Sequence, residues 1–340
     1  MDIFVSGGTG LVGSRLLAEL SKNPENKIVA LRRKNSDFSV VKKYFAIRFD
    51  NPDEYFNKIK WLEGDILDDF FLYENIKKDS IVYHAAAFVS FRSADAPKIR
   101  QINIEGTKNI VDICLQKGVK KLCYVSSIAA LGRGKNGGKT TEEDYREAEK
   151  GSSVYSDSKY AAEMEVWRGI AEGLEAVIVN PAVILGYGDS NKGSSALFNT
   201  VYKGLKFYTK GTNGYVDALD VARAMVMLAE SDIKGERFIL TAGTLSYKEL
   251  FYAMADGLGV KPPPYYASPL LGKIVWRLLV PFYFFSGREP VITRQTARMA
   301  AARYDYSAEK IKNATGFKFT PLEKSIKRSC EDFLNETKQK

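Results

Sequence analysis

Tyr155 and Lys159 lie four residues apart in the stretch YSDSK, at the start of a segment with helical character. At that spacing both side chains share one helical face. A free phenol titrates near about 10, and a neighbouring ammonium favours its phenolate, so the pair could exchange a proton near neutrality. Such a pair is common by chance. It gains meaning from the preceding strand, which ends YVSSIAALG over Tyr124–Gly132 and supplies the hydroxyls of Ser126 and Ser127.

A second chemical feature opens the chain. In IFVSGGTGLVGSRLLAEL, Ile3–Leu20, the glycines Gly7, Gly10 and Gly13 sit between an apolar strand and an amphipathic helix. Gly7 permits the tight turn, Gly10 lets a pyrophosphate approach the backbone, and Gly13 lets helix pack on strand. The diphosphate would rest over the helix N-terminus, where free N–H groups and the dipole favour an anion. Thr9, Leu11 and Val12 complete this cradle. The spacing is GxxGxxG, so the GxGxxG fingerprint is not matched as such; the strand–turn–helix context carries the reading. The second strand ends ALRRKNS, with Arg32, Arg33 and Lys34 and no acid before Asp37. Basic residues there accommodate a ribose 2′-phosphate, which favours NADP(H) and leaves NAD(H) as the alternative.

These residues need a frame. Apolar runs at Ile3–Ser6, Ile28–Leu31, Lys60–Leu62, Ile81–His84, Lys121–Ser126 and Ala176–Asn180 read as strands. Helical patterns over Gly10–Lys22, Ile99–Lys117 and Ser156–Glu172 alternate with them. The alternation predicts an α/β fold, a Rossmann doubly wound parallel sheet with a smaller C-terminal substrate-binding lobe. The sheet domain spans residues 1–185 plus about 215–240, and the lobe takes 186–214 and 241–340. Tyr215–Glu230 reads as a loop entering a helix that returns to the sheet.

GGTGLVG at Gly7, EGDILD at Glu63, HAAA at His84, NIEGTKNIV at Asn103, YVSSIAALG, YSDSK and VNPAVILG at Val179 occur in one order along the chain. Together they resemble the extended short-chain dehydrogenase/reductase superfamily, the NAD-dependent epimerase/dehydratase family. The resemblance implies that Asp65 and Ile66 contact the adenine and that Ala85, Ala86 and Ala87 line the cofactor. It places Pro181, Ala182 and Val183 beside the nicotinamide and Lys159 on its ribose. It makes Ser127 the hydroxyl that bonds the substrate oxygen, with Tyr155 transferring the proton, and leaves Ser126 structural. Dimerisation through a four-helix bundle, hence a homodimer, is a further implication.

Dehydratase relatives carry an acidic pair directly after the catalytic hydroxyl, where this chain has Ile128 and Ala129. The RxxNVYGP-like segment of nucleotide-sugar epimerases is replaced by VNPAVILGYGD. NPAVILG with an aromatic C-terminal half looks most like the dihydroflavonol 4-reductase and 3β-hydroxysteroid dehydrogenase branch. The expected activity is therefore carbonyl–alcohol interconversion on a small but bulky apolar substrate. A nucleotide-sugar epimerase and a non-catalytic cofactor sensor are the alternatives. Tyr265, Tyr266, Trp276, Phe282, Tyr283, Phe284 and Phe285 either line an apolar pocket or form ordinary core. His84, the single histidine, is expected to be structural, as are Asp217 and Asp220 through loop ordering and helix capping, and Asn103 through backbone bridging.

The net charge of +9 raises the question of an anionic partner. No basic run with interleaved aromatics, helix-turn-helix or RNP-like segment supports nucleic acid. Cys114, Cys123 and Cys330 lack metal-ligand spacing, so no metal is expected, and reduced thiols with no signal-peptide pattern at MDIFVSGG suggest a cytoplasmic setting. Leu270–Phe285 is the most apolar stretch, interrupted by Lys273, Arg277 and Pro281. It is too short to span a bilayer and reads either as a peripheral membrane contact or as a helix packed on the lobe.

Overall fold

Apolar runs bounded by turn residues become the strands of one large sheet, and the chain enters the first of them at its second residue. The computed structural model describes residues 1–90, 92–134, 137–146, 152–189, 193–268 and 300–338. Its first half runs β1 (Asp2–Ser6), α1 (Leu11–Leu20), β2 (Lys27–Arg32), α2 (Ser39–Arg48), α3 (Pro52–Lys58), β3 (Lys60–Glu63), α4 (Asp69–Asn75), β4 (Ile81–His84), α5 (Ala96–Arg100), α6 (Gly106–Lys117), β5 (Lys121–Val125) and α7 (Val154–Ala171). The second half adds β6 (Ala176–Pro181), β7 (Val183–Leu185), α8 (Ser195–Tyr202), β8 (Phe207–Tyr208), β9 (Thr212–Asp217), α9 (Ala218–Glu230), β10 (Glu236–Leu240), β11 (Gly243–Ser246), α10 (Tyr247–Leu258), β12 (Tyr265–Tyr266), α11 (Glu309–Thr315) and α12 (Leu322–Lys338).

Seven parallel strands pair in the order β10-β6-β5-β4-β1-β2-β3. The direction of winding reverses between β1 and β4, so the loops leaving their carboxyl ends part to opposite faces and open a crevice. Helices cover both faces. Leu16 and Leu17 of α1 pack with Val221 and Met225 of α9 on one side, and Ile110 and Val111 of α6 with Ala162 and Val166 of α7 on the other. Burying each of the larger side chains among these contributes roughly 1.5–3 kcal/mol, and β6 between the two layers is buried at every position. A smaller sheet, β11-β9-β7, and the ribbon β12-β8 belong to the second half of the chain. Phe198, Leu250, Met254 and Cys330 form a separate core there.

The structure departs from the sequence reading in several places. The expected helix over Ile99–Lys117 is interrupted by a π-helical turn at Gln101–Glu105. Helices α2, α3 and α4 were not legible; α3 buries no residue, so it carries no apolar stripe. Strand β10 was missed because Glu236 and Arg237 break its apolar pattern. Tyr215–Asp217, expected as the loop entering α9, is the end of a strand in the small sheet. The stretch Leu270–Phe285, with Trp276, Phe282, Tyr283, Phe284 and Phe285, lies outside the described residues. Among the described residues no helix is long and apolar enough to cross a membrane.

His84 closes β4 in full burial and ties three elements together. Its Nδ1 lies 2.6 Å from the Ser6 hydroxyl of β1 and its Nε2 3.0 Å from Thr107 Oγ1 of α6. The Thr107 hydroxyl already donates to the Asn103 carbonyl, so it accepts from the ring, which places the imidazole proton on Nε2. Burial, and secondarily Lys159, pushes the imidazole down to about 3. Because the folded value lies below the unfolded one, this group's contribution is complete above about pH 6.5 and is lost as pH falls towards the folded value. Chemical denaturation at pH 7 and pH 5 should show wild type losing roughly 2 kcal/mol more than His84→Gln over that interval; equal losses would refute the buried neutral assignment.

Candidate active site

The cofactor loop is shaped by backbone contact. Gly7 has φ +77°, and a Cβ there would lie 2.5 Å from the Ala85 carbonyl carbon. A Cβ on Gly13 would lie 2.1 Å from the Gly7 carbonyl oxygen. Gly10 differs: it is exposed, and a Cβ there would meet only that oxygen, at 3.3 Å. Gly7 and Gly13 therefore hold the turn against the sheet, while Gly10 faces the crevice. Helix α1 starts without a side-chain cap or an acidic residue in its first turn, leaving its N-terminal amides and dipole to an anion. Thr9 and Leu11 are half-buried and Val12 is buried beneath them. Across the crevice, Ala85 and Ala86 are half-buried and Ala87 is exposed. Small side chains, bare backbone and a helix N-terminus fit a dinucleotide diphosphate.

At the end of β2 the basic residues separate. Arg32 is ion-paired with Glu63 of β3 at 3.0 Å. Arg33 and Lys34 are exposed and line an open groove with Asn35, Glu63, Gly64 and Asp65. Arg32 also offsets the charge of the Glu63 carboxylate, which no strand-end pattern revealed. Asp65 stands at this groove, whereas the Ile66 side chain is buried under Gly106, whose Cβ would come 2.4 Å from it.

Ser127 follows β5 and is half-buried; its Oγ accepts from the Ala129 amide at 3.1 Å and is hydrogen-bonded to the Tyr155 phenol. Ser153 caps α7 by accepting from the Ser156 amide, and Ser156 Oγ donates to the Ala129 carbonyl at 2.6 Å. The helix start and the serine loop are thereby stitched together. Burial holds the Tyr155 phenol above its ordinary value, and the Ser127 hydrogen bond draws it back.

Lys159 is 2% exposed and turns inward. Its ammonium donates to Tyr124 Oη at 2.9 Å and to the Val125 carbonyl at 2.7 Å. Burial pushes it down to about 7, against the pull of Glu163. Tyr155 and Lys159 share a face, as their spacing predicts, but the lysine reaches β5 while the phenol stays beside Ser127 and is raised by burial.

Asn103, Asp217 and Asp220 make the structural contacts expected of them. Asn103, on the π-helical turn, accepts from the Phe88 amide at 2.7 Å and donates to the Phe88 carbonyl and to Ser158 Oγ. Asp217 caps α9 and accepts from Ser325 and Arg328; Asp220 accepts from the Thr320 amide and hydroxyl. Pro181 and Ala182 are buried at the end of β6 and Val183 is half-buried. Reading the sequence missed Tyr124, Glu163, Asn180 and Arg237, which surround Lys159 and Ser126. Only Glu163 left a signal, one helical turn beyond Lys159.

Known proteins resemble this chain over most of its length. A Synechocystis protein provisionally assigned as a dihydroflavonol 4-reductase is 26% identical over 98% of this chain and 94% of its own length. The 3β-hydroxysteroid-dehydrogenase/decarboxylase isoform 1 of Arabidopsis thaliana is 23% identical over 81% of this chain and 67% of its own. The crystal structure of gox2253 superposes with a TM-score of 0.80 at 27% identity, over 98% of each chain. Residues 3–240 match the NAD dependent epimerase/dehydratase family, from β1 to the last strand of the large sheet. The chain belongs to that family and is an NAD(P)-dependent oxidoreductase built on the extended short-chain dehydrogenase/reductase plan.

Proposed function

We propose that the enzyme interconverts a carbonyl and an alcohol on a bulky apolar substrate, with NADP(H) as cofactor and Tyr155 as the acid/base. The observation that carries this reading is the Ser127–Tyr155 hydrogen bond at the crevice, with Lys159 anchored behind it. When bound, the nicotinamide supplies or accepts the hydride. Ser127 holds the substrate oxygen, and Tyr155 gives it a proton in reduction or takes one in oxidation. A phenol raised by burial remains neutral at physiological pH, which suits the donor role. Ile128 and Ala129, next in the chain, offer no acid/base pair for expelling water. The names of the two relatives, a dihydroflavonol reductase and a 3β-hydroxysteroid dehydrogenase, both point to polycyclic alcohols or ketones.

Support for NADP(H) comes from Arg33 and Lys34 at the groove, where a 2′-phosphate would lie, and from Arg32 offsetting the repulsion of Glu63.

Screening with NADPH against ketosteroids, dihydroflavonols, β-keto acyl compounds and UDP-sugars tests the reaction class. With the best carbonyl substrate, Tyr155→Phe should lower turnover by about a hundredfold or more with cofactor affinity nearly unchanged; near-normal turnover would sink the mechanism. Fluorescence titration tests the cofactor. Arg33→Ser with Lys34→Ser should weaken NADPH by at least about tenfold and leave NADH little affected, whereas equal weakening of both would remove these residues as phosphate ligands.

A further inference from the structure

Helix α7 presents Tyr155, Lys159 and Glu163 at successive turns, and the third of these is the most constrained. Glu163 is fully buried. Its Oε2 accepts from Ser126 Oγ at 2.5 Å and from Asn180 Nδ2 at 2.7 Å. Its Oε1 accepts from Arg237 at 3.0 Å and from Trp167 Nε1 at 3.3 Å. The same Asn180 amide donates to the Ser127 carbonyl at 3.1 Å. One carboxylate thus holds the serine loop at two points, the Ser126 hydroxyl directly and the Ser127 carbonyl through Asn180.

The charges around it point the same way. Lys159 and Arg237 are 2% and 4% exposed. Facing the Lys159 ammonium are the neutral Tyr124 hydroxyl and Val125 carbonyl of β5, with His84 of β4 held neutral nearby. Glu163 comes from its own helix, one turn on, and Arg237 of β10 pairs with that carboxylate at 3.0 Å. Arg237 also donates to the Glu142 carbonyl, and the Glu142 carboxylate accepts from the Ile239 amide. Two buried cations with no anion nearby would each bear a large desolvation cost.

We propose that Glu163 is a positioning residue for the reaction: its buried carboxylate fixes Ser127 from behind and supplies the counter-charge that keeps Lys159 an ammonium in a dry interior. Its importance to catalysis rests on the roles given above to Ser127 and Lys159; its electrostatic hold on Lys159 does not. Glu163→Gln keeps the size and one acceptor oxygen but removes the charge, so the lysine should lose its proton more easily. Arg237→Gln leaves the carboxylate without its guanidinium, so the lysine should hold its proton more tightly.

The test follows the Lys159 side-chain signal by NMR in protein carrying isotope-labelled lysine, assigned by its loss in Lys159→Met. The wild-type signal should titrate near neutrality. Glu163→Gln should lower that midpoint by about one pH unit or more, and Arg237→Gln should raise it. In turnover, the high-pH limb should move in the same direction in each variant, a shift that a merely structural role would not produce. An unmoved midpoint in folded Glu163→Gln overturns the proposal. Should that variant not fold, an unmoved or lowered midpoint in Arg237→Gln overturns it instead. Full turnover in Tyr155→Phe would overturn the proposed function alone and leave the titration to decide Glu163.

Discussion

The backbone of Gly7 runs so close to Ala85 on one side and Gly13 on the other that neither glycine could carry a Cβ. That contact sets where α1 begins, and so where its N-terminal amides stand relative to the crevice between β1 and β4. His84 reinforces it, since the Ser6–His84 hydrogen bond joins the last residues of these two strands directly below the turn. The anion-binding end of the site is therefore a consequence of packing: bare backbone is exposed because side chains do not fit beneath it.

The catalytic end depends on a different balance. Beside the carboxyl ends of β5 and β6, helix α7 carries charge on its inward face where most helices carry leucine. A buried ion pair such as Glu163–Arg237 is weak evidence for net stability, because desolvation consumes most of the attraction, yet losing one partner typically costs about 3–5 kcal/mol. The geometry makes sense as specification. The carboxylate has four donors, from Ser126, Trp167, Asn180 and Arg237, and they come from β6, β10, α7 and the loop after β5. Asn103 performs the matching task on the other side, where the π-helical turn lets its amide grip both polar groups of Phe88 and also reach Ser158 of α7.

Local chemistry was legible in the sequence. Gly7, Gly10 and Gly13 between strand and helix, and Tyr155 with Lys159 on one helical turn, are patterns that short-range geometry imposes. Six of the seven strands of the large sheet were recognisable because burial on both faces writes near-continuous apolar runs. Strand β10 was not, since its buried Arg237 looks like a surface residue until Glu163 is placed beside it. The same limit applied to Arg32, whose partner Glu63 is remote in sequence but adjacent across the β2–β3 pairing, and to Ile66, whose burial depends on Gly106 of a later helix.

By itself the sequence determined the α/β frame, the anion-binding turn and the identity of the tyrosine, lysine and serine that could act. Periodicity, glycine spacing and a helical i,i+4 pair are all properties of neighbours along the chain. Only the tertiary structure decided which way Lys159 points, that the Tyr155 phenol sits beside Ser127, and which carboxylate balances the interior. Those outcomes depend on dielectric environment and on partners more than thirty residues apart, such as Ser126 with Glu163 and Glu163 with Arg237. A titratable group's state is set by everything within a few ångströms of it, and chain order does not encode that distance.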